Sequence, residues 1–556
     1  MKISRATITF SRGWVFLLLL ISTFAMAAGP KPADQAMATI RPEAIRADMR
    51  FLSDDLLEGR GTATRGHEIA ARFIATQFEG IGLSPAGDNG SYWQDVPLRA
   101  MKVDQAKTTL TLVRAGKEET FTFSQDFIGR ADPGRAESSV EAPVVFAGYG
   151  VTAPDQNYDD YKNLDVHGKI VALLYGAPAF QSAIKAHYSS SEQKYANAAA
   201  HGAVGVIVLN DPVLESMYPF SERVRDLVIP EYRWLDKQGN PNNYHPALKA
   251  IVTLSLEGTR KLFAGSGHTA EEIFAEAKAG NLTPFEMPLT ARIENRTNSH
   301  DVHSPNVVGV IEGSDPVLKR QYVVYSAHLD HLGIGEPVNG DKIYNGALDN
   351  ASGSATLLEI ARAFQSMSPK PRRSILFVLV TGEEAGLLGS DYFAHYPTVP
   401  KSSIVADINI DEVLMLWPMH DVIAFGAEHS SLGDVLNKAA ASMHLIVSPD
   451  PMPQEVVFIR SDQYSFVKQG IPSMMPTPGF KSSDPNFNPM KIFGEWEQTR
   501  YHHPQDDMEQ PGLNFQSAVK FARLAFLCGY MVAQDANRPS WNKGDFFGEH
   551  YAMKRQ

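Results

Sequence analysis

The sequence predicts an α/β protein: a mixed, mostly parallel central sheet flanked by helices and interrupted by a β-rich insert. Three features of the 556 residues point there. From Ser304 onward, apolar strand-like runs alternate with amphipathic helical stretches, as in a sheet covered by helices. Between about 135 and 290 short β-branched runs dominate instead. The hydrophobic fraction of 44% and the charged fraction of 21% are those of a globular chain with a sizeable core.

The first residues read as a leader outside the fold. Lys2, Arg5 and Arg12 precede an apolar run over 14–24 and then Ala25-Met26-Ala27, the three parts of a secretory signal peptide. The run has 11 residues, short of the roughly 20 that a membrane-spanning helix needs. Cleavage after Ala27 is expected, giving an exported protein in a bacterial periplasm or cell exterior with no stable membrane anchor. Residues 28–40, rich in Pro and Ala, read as a linker. Residues 41–134 read as the N-terminal part of the main domain. A helix starts at Pro42, with Ile45, Met49 and Leu52 at helical spacing. A second covers 68–79, with Ile69, Phe73, Ile74 and Phe78 on one face. Alternating strands follow from about 100 to 130.

Residues 135–290 are the expected insert, with strands at 142–151, 167–175 and 203–210 and a short helix at 194–200. Residues 291–536 carry the remaining alternation. Strands are expected at 306–312, 322–327, 374–380 and 403–410, and helices at 355–364, 386–395, 432–443 and 515–532. Residues 537–556 read as a tail packed on the surface. Cys528 is the single cysteine. It lies in an apolar helical run and reads as a buried thiol, not a nucleophile. The formal charge of −12 lacks the basic excess of a nucleic-acid binder.

In an open α/β sheet, ligands bind beyond the carboxyl ends of the strands. The strand at 322–327 runs into His328-Leu-Asp330-His331. Residues two apart on extended chain point the same way, so His328 and Asp330 can face one cleft. Asp349 lies in a Gly-flanked loop before a helix, where a carboxylate can be shared between two cations. The strand at 374–380 leads to Glu383-Glu384, where one glutamate can bind metal and the other act as general base. The strand at 403–410 leads to Asp411-Glu412, and His502 and His503 follow on a late loop. Each piece alone is a weak signal. Together they supply His and carboxylate ligands without thiolates, as in a catalytic zinc site.

These stretches resemble the motifs of the M28 family of metallopeptidases, the zinc aminopeptidase and glutamate-carboxypeptidase group. The matching stretches are Ala327-His-Leu-Asp-His-Leu-Gly, Asn345-Gly-Ala-Leu-Asp-Asn-Ala-Ser-Gly, Thr381-Gly-Glu-Glu-Ala-Gly and Tyr501-His-x-Pro-x-Asp. The likeness covers roughly 300–530 and the segment Leu57-Glu-Gly-Arg-Gly. The insert resembles a protease-associated (PA) domain. The resemblance implies a zinc-exopeptidase-like fold and two zinc ions. His328 and Asp411 would hold one, Glu384 and His502 the other, and Asp349 would bridge them. Glu383 would be the base, Asp330 would orient His328, and Tyr501 would stabilise an oxyanion. The register Tyr-His-x-Pro favours His502 over His503. Arg460-Ser-Asp462 resembles a segment framing the substrate cleft, with Arg460 a candidate substrate contact. Gln463 departs from the histidine common there.

The activity implied is removal of N-terminal residues from peptides. Alternatives are a carboxypeptidase of the same fold, a single-zinc glutaminyl cyclase, or a binding module that has lost catalysis. The insert is expected to act either as a lid or as packing.

Overall fold

The computed structural model describes residue 1 and residues 32–552. The expected signal peptide lies outside the described residues. Among those described, no helix is long and apolar enough to cross a membrane.

The central sheet is mixed. In spatial order its main strands are Trp93–Val103, Phe285–Ile311, Ser374–Val380, Tyr322–His328, Ile404–Asn409, Ser473–Pro478 and Asp421–Phe425. The four from Ser374–Val380 to Ser473–Pro478 are mutually parallel, and antiparallel partners close both sides. Every residue of Ser374–Val380 is buried, as expected for a parallel strand covered on both faces. Helices Pro42–Leu52, Ser352–Ser366 and Phe515–Gln534 pack against one another on one face. Cys528 is buried in the last of these, and burial pushes its thiol up to about 12.

Local chemistry sets the helix ends. The Thr64 side chain accepts from the His67 N–H at the start of Arg65–Ile81, and Gly82 ends it at φ 92, a left-handed cap open to glycine. Within the stretch read as a linker, Pro32–Met37 forms a short helix with Ala33 and Ala36 buried. Small side chains let it lie against the helices Ser352–Ser366 and Phe515–Gln534.

A second sheet is built on the insert. Its core strands Glu137–Phe146, Ile170–Leu174, Gly205–Leu209 and Ile251–Leu254 are parallel neighbours. Strands Thr109–Arg114 and Phe127–Gly129 also join this sheet, so it takes in residues on both sides of position 135. The 27-residue strand Phe285–Ile311 belongs to both sheets. Its first part pairs with Glu137–Phe146 and Thr109–Arg114, its second with Trp93–Val103 and Ser374–Val380.

The C-terminal segment is not merely laid on the surface. The Asp545 carboxylate caps the helix Phe546–Tyr551 by accepting the N–H groups of Phe547 and Gly548. Phe547 is fully buried, with its ring 5.0 Å from that of Phe458 and 4.7 Å from that of His429. The same cluster includes His187 from the insert helix Ser182–Ser189.

Candidate active site

The parallel strands Tyr322–His328, Ser374–Val380 and Ile404–Asn409 end at one edge of the sheet, and their following loops carry the chemistry. His328 is the last residue of its strand. Glu383 and Glu384 follow one strand end by three and four residues, and Asp411 follows another by two. Asp349 sits in the irregular turn before the helix Ser352–Ser366. Gly346 opens that turn at φ 59, and a Cβ there would stand 2.1 Å from the Asp349 carbonyl oxygen and 2.5 Å from His331 Cγ.

Asp349 turns its two oxygens toward two different groups. Oδ1 lies 3.1 Å from His328 Nε2, which is itself 3.0 Å from Asp411 Oδ1. Oδ2 lies 3.3 Å from His502 Nε2, which is 3.2 Å from Glu384 Oε2. The donor atoms of His328, Asp349 and Asp411 lie within 4.8 Å of one another, as do those of His331, Asp349 and Glu384, and of His328, Glu383 and Glu384. The His331 Nδ1 comes within 2.6 Å of Glu384 Oε1, and both atoms are buried. Buried polar atoms of this kind are costly unless paired or coordinated. The donor set fits a catalytic zinc site.

The groups perturb one another strongly. Burial alone would raise the Glu384 carboxyl, but His502 and His331 hold it down at about 2. Asp349 is likewise held well below the usual range by His328 and His502. Both of those imidazoles are pushed well above theirs, against burial, by the facing carboxylates. Glu383 behaves oppositely. Burial, reinforced by Glu384, Asp411 and Asp462, raises its carboxyl well above the usual range, with His328 opposing.

Surrounding residues fix these groups. The Asp330 carboxylate lies 4.0 Å from His328 Nδ1, whereas the Asp330 carbonyl oxygen is 3.2 Å away. Its carboxylate instead accepts the Thr62 hydroxyl at 2.8 Å and the Glu383 N–H at 3.2 Å. Ser461 donates to Asp411 Oδ2 at 2.5 Å. Asp506 accepts the Leu348 and Asp349 N–H groups at 2.9 and 3.0 Å. The buried Arg60 guanidinium binds the carbonyls of Leu52, Leu329, Asn345 and Gly346. The contacts made by the Thr62 hydroxyl, the Arg60 guanidinium and the Ser461 hydroxyl do not follow from the sequence. The one hint was an arginine between two glycines in Gly59-Arg60-Gly61. His503 faces away from the cluster, its Nδ1 2.7 Å from the Tyr501 carbonyl oxygen. Gln463 is buried and bonded to Asn409 and the Phe458 carbonyl.

Beside the cluster opens a cavity of about 370 Å³. Its wall is apolar at Leu414, Phe425, Met452, Phe480 and Trp496 and acidic at Glu412, Asp450, Glu455 and Glu497. Arg460 is the only lysine or arginine that lines it among the described residues. Its Nη2 lies 3.3 Å from the Tyr501 hydroxyl and its Nη1 3.9 Å from Glu455. The Tyr501 ring stacks on His502 at 4.0 Å between centroids. No residue of 135–290 lines this cavity.

The family model described as peptidase family M28 matches residues 306–527, and that of the PA domain matches 140–230. Residues 306–527 form a peptidase family M28 domain. The strand ends, Asp349, the paired glutamates and His502 all fall inside it. The chain is 29% identical over 264 residues to Aminopeptidase NAALADL1 of Mus musculus, covering 39% of this chain and 33% of that relative. It is 25% identical over 308 residues to Transferrin receptor protein 2 of Homo sapiens, covering 51% and 35%. The chain thus spans about a third of the length of these two relatives. The solved Aminopeptidase from Aneurinibacillus sp. strain AM-1 superposes with a TM-score of 0.53 at 19% identity, over 91% of this chain and 97% of that one. At that identity the likeness establishes the fold, with the M28 and PA parts both included. Relatives of this M28 domain include a protein named as a peptidase and one named as a receptor, so the side chains must decide between those readings.

Proposed function

We propose that the chain is an exported aminopeptidase that uses two zinc ions to remove N-terminal residues from peptides. The observation that carries this reading is Asp349, whose two oxygens address two separate His and carboxylate groups. One ion would be held by His328 and Asp411, the other by Glu384 and His502, with Asp349 shared. Zinc in such a site supplies a Lewis acid that acidifies water and polarises a carbonyl. Glu383 takes the proton of the attacking water and delivers it to the leaving amine. Burial, reinforced by the neighbouring carboxylates, raises its carboxyl above the usual range, which strengthens it as a proton acceptor. Tyr501, its hydroxyl beside Arg460, donates to the oxyanion that develops. A binding module without catalysis would have no need for this full set of donors and base.

The acidic cavity favours the amino terminus. Glu412 directly follows Asp411 and lines the cavity, with Arg460 the cation that acts most on its carboxyl. It is available to a substrate ammonium. Arg460, which a substrate carboxylate would need, already faces Tyr501 and Glu455.

A panel of aminoacyl-anilides, with and without chelator, tests the reading. Turnover lost with chelator and restored by zinc is expected, with two zinc ions per chain and no hydrolysis of N-acetylated peptides. Glu383→Gln is expected to keep its metal and lose about 10²- to 10⁴-fold in kcat. Cleavage of N-acetylated peptides at the carboxyl end would favour the carboxypeptidase, and absence of stoichiometric zinc would leave only the binding module.

A further inference from the structure

The insert does more than stand beside the M28 domain. Its strand Glu231–Trp234 pairs antiparallel with Trp93–Val103 at the edge of the central sheet. That register brings Tyr232 against the turn at residues 60–63. The Tyr232 side chain is buried, and its hydroxyl donates to the Thr62 carbonyl at 3.1 Å. Thr62 is buried too, and its hydroxyl donates to Asp330 Oδ2 at 2.8 Å. The other Asp330 oxygen accepts the Glu383 N–H at 3.2 Å.

The turn does not hold this shape through local preference. Arg60 and Ala63, on either side of Thr62, have φ of 52° and 57°, a left-handed conformation that such residues adopt uncommonly. Tertiary bonds must maintain it. Three consecutive hydrogen bonds therefore run from the insert to the main chain of the proposed base. Asp330 is fully buried. Removing the Thr62 hydroxyl would leave one of its oxygens unsatisfied where water cannot readily replace the bond.

We propose that Thr62 and Tyr232 are positioning residues that hold Glu383 through Asp330, so that the insert takes part in aligning the base. This rests on the reading of Glu383 as general base. Neither residue touches substrate.

The test uses the full chain loaded with zinc. Thr62→Val removes the hydroxyl, Thr62→Ser keeps it, and Tyr232→Phe removes only the phenolic hydroxyl. Thr62→Val is expected to lower kcat about 10- to 100-fold with KM little changed, the range found for outer partners of metal sites. Tyr232→Phe should lower kcat roughly 2- to 10-fold, the worth of one neutral hydrogen bond. Thr62→Ser should restore most of the loss. The double variant Thr62→Val/Tyr232→Phe should be no worse than Thr62→Val, because both act along one path. Hydrogen exchange over residues 381–387 in metal-free protein gives a readout independent of turnover. It should be faster in Thr62→Val and Tyr232→Phe and unchanged in Thr62→Ser. Additive losses with unchanged exchange, or a Thr62→Ser as impaired as Thr62→Val, would overturn the proposal. Full turnover in Glu383→Gln would instead overturn the assignment of the base, and the exchange result would still report on the path.

Discussion

Acidification is expected to loosen the seam between the insert and the C-terminal segment, with His187 as the responsible group. Its ring is buried among Tyr188, Phe546, Phe547 and Tyr551, and its Nδ1 lies 2.7 Å from the Tyr464 hydroxyl. Burial lowers the imidazole from 6.5 to about 4; His550 and Lys468 add to the fall and Asp155 opposes it. In the unfolded chain His187 takes its proton near pH 6.5, whereas in the folded chain it stays neutral down to about 4. The unfolded state therefore binds more protons in this window. Stability is complete above 6.5 and is lost as the pH falls toward 4. At about 1.4 kcal/mol per pKa unit, the full loss is about 3 kcal/mol. The assay is urea unfolding of the native chain and of His187→Gln, from about pH 7 to about pH 4.5. The variant has no proton to gain at this position, so its stability deficit relative to the native chain should shrink by roughly 2 to 3 kcal/mol across that range. A deficit that stays constant with pH would refute the reasoning.

Three other perturbations address the M28 site. Gly346→Ala forces a side chain into a left-handed position, which costs about 1–2 kcal/mol, and drives Cβ into Asp349; bound zinc should fall below two per chain, as read by elemental analysis, alongside a lower melting temperature. His331→Ala should weaken zinc binding at the site proposed for Glu384 and His502 by about 10- to 100-fold in a chelator competition, while the proposed His328 side is retained. Glu412→Gln should raise KM for aminoacyl-anilides by about 10-fold or more, the worth of a hydrogen bond to a charged group; an unchanged KM would remove Glu412 from the ammonium site.

Much of the site was legible in the sequence because it follows strand ends. His328, Glu383-Glu384 and Asp411 each come within a few residues of a strongly apolar strand, and the sheet brings those ends together without further information. Gly346 likewise marks the loop that presents Asp349. Residues acting across long sequence separations were less legible. Nothing near Thr62 signals that its hydroxyl meets Asp330, and the glycines around Arg60 reveal a special backbone but not the four carbonyls it binds. The orienting contact to His328 also differs in kind. The spacing of two places Asp330 on the right side, but its carbonyl, not its carboxylate, approaches His328, because Thr62 and Glu383 compete for the carboxylate. In the fold, Pro32–Met37 was hidden by prolines and alanines that suit a linker equally well. Phe547 was hidden because a short polar-aromatic tail has no periodicity to show that one ring is buried.

The strand Phe285–Ile311 has a practical consequence for anyone dividing this molecule. Its first half completes one sheet and its second half supplies the neighbour of Ser374–Val380 in the other. A deletion that removed everything from 135 to 311 would strip the central sheet of an internal strand. Any graft or exchange of the insert has to preserve this strand as a single rod and keep Glu231–Trp234 at the far edge of the sheet. The insert is thus spliced into the central sheet like a tenon in its mortise, and transplanting it means transplanting the joint.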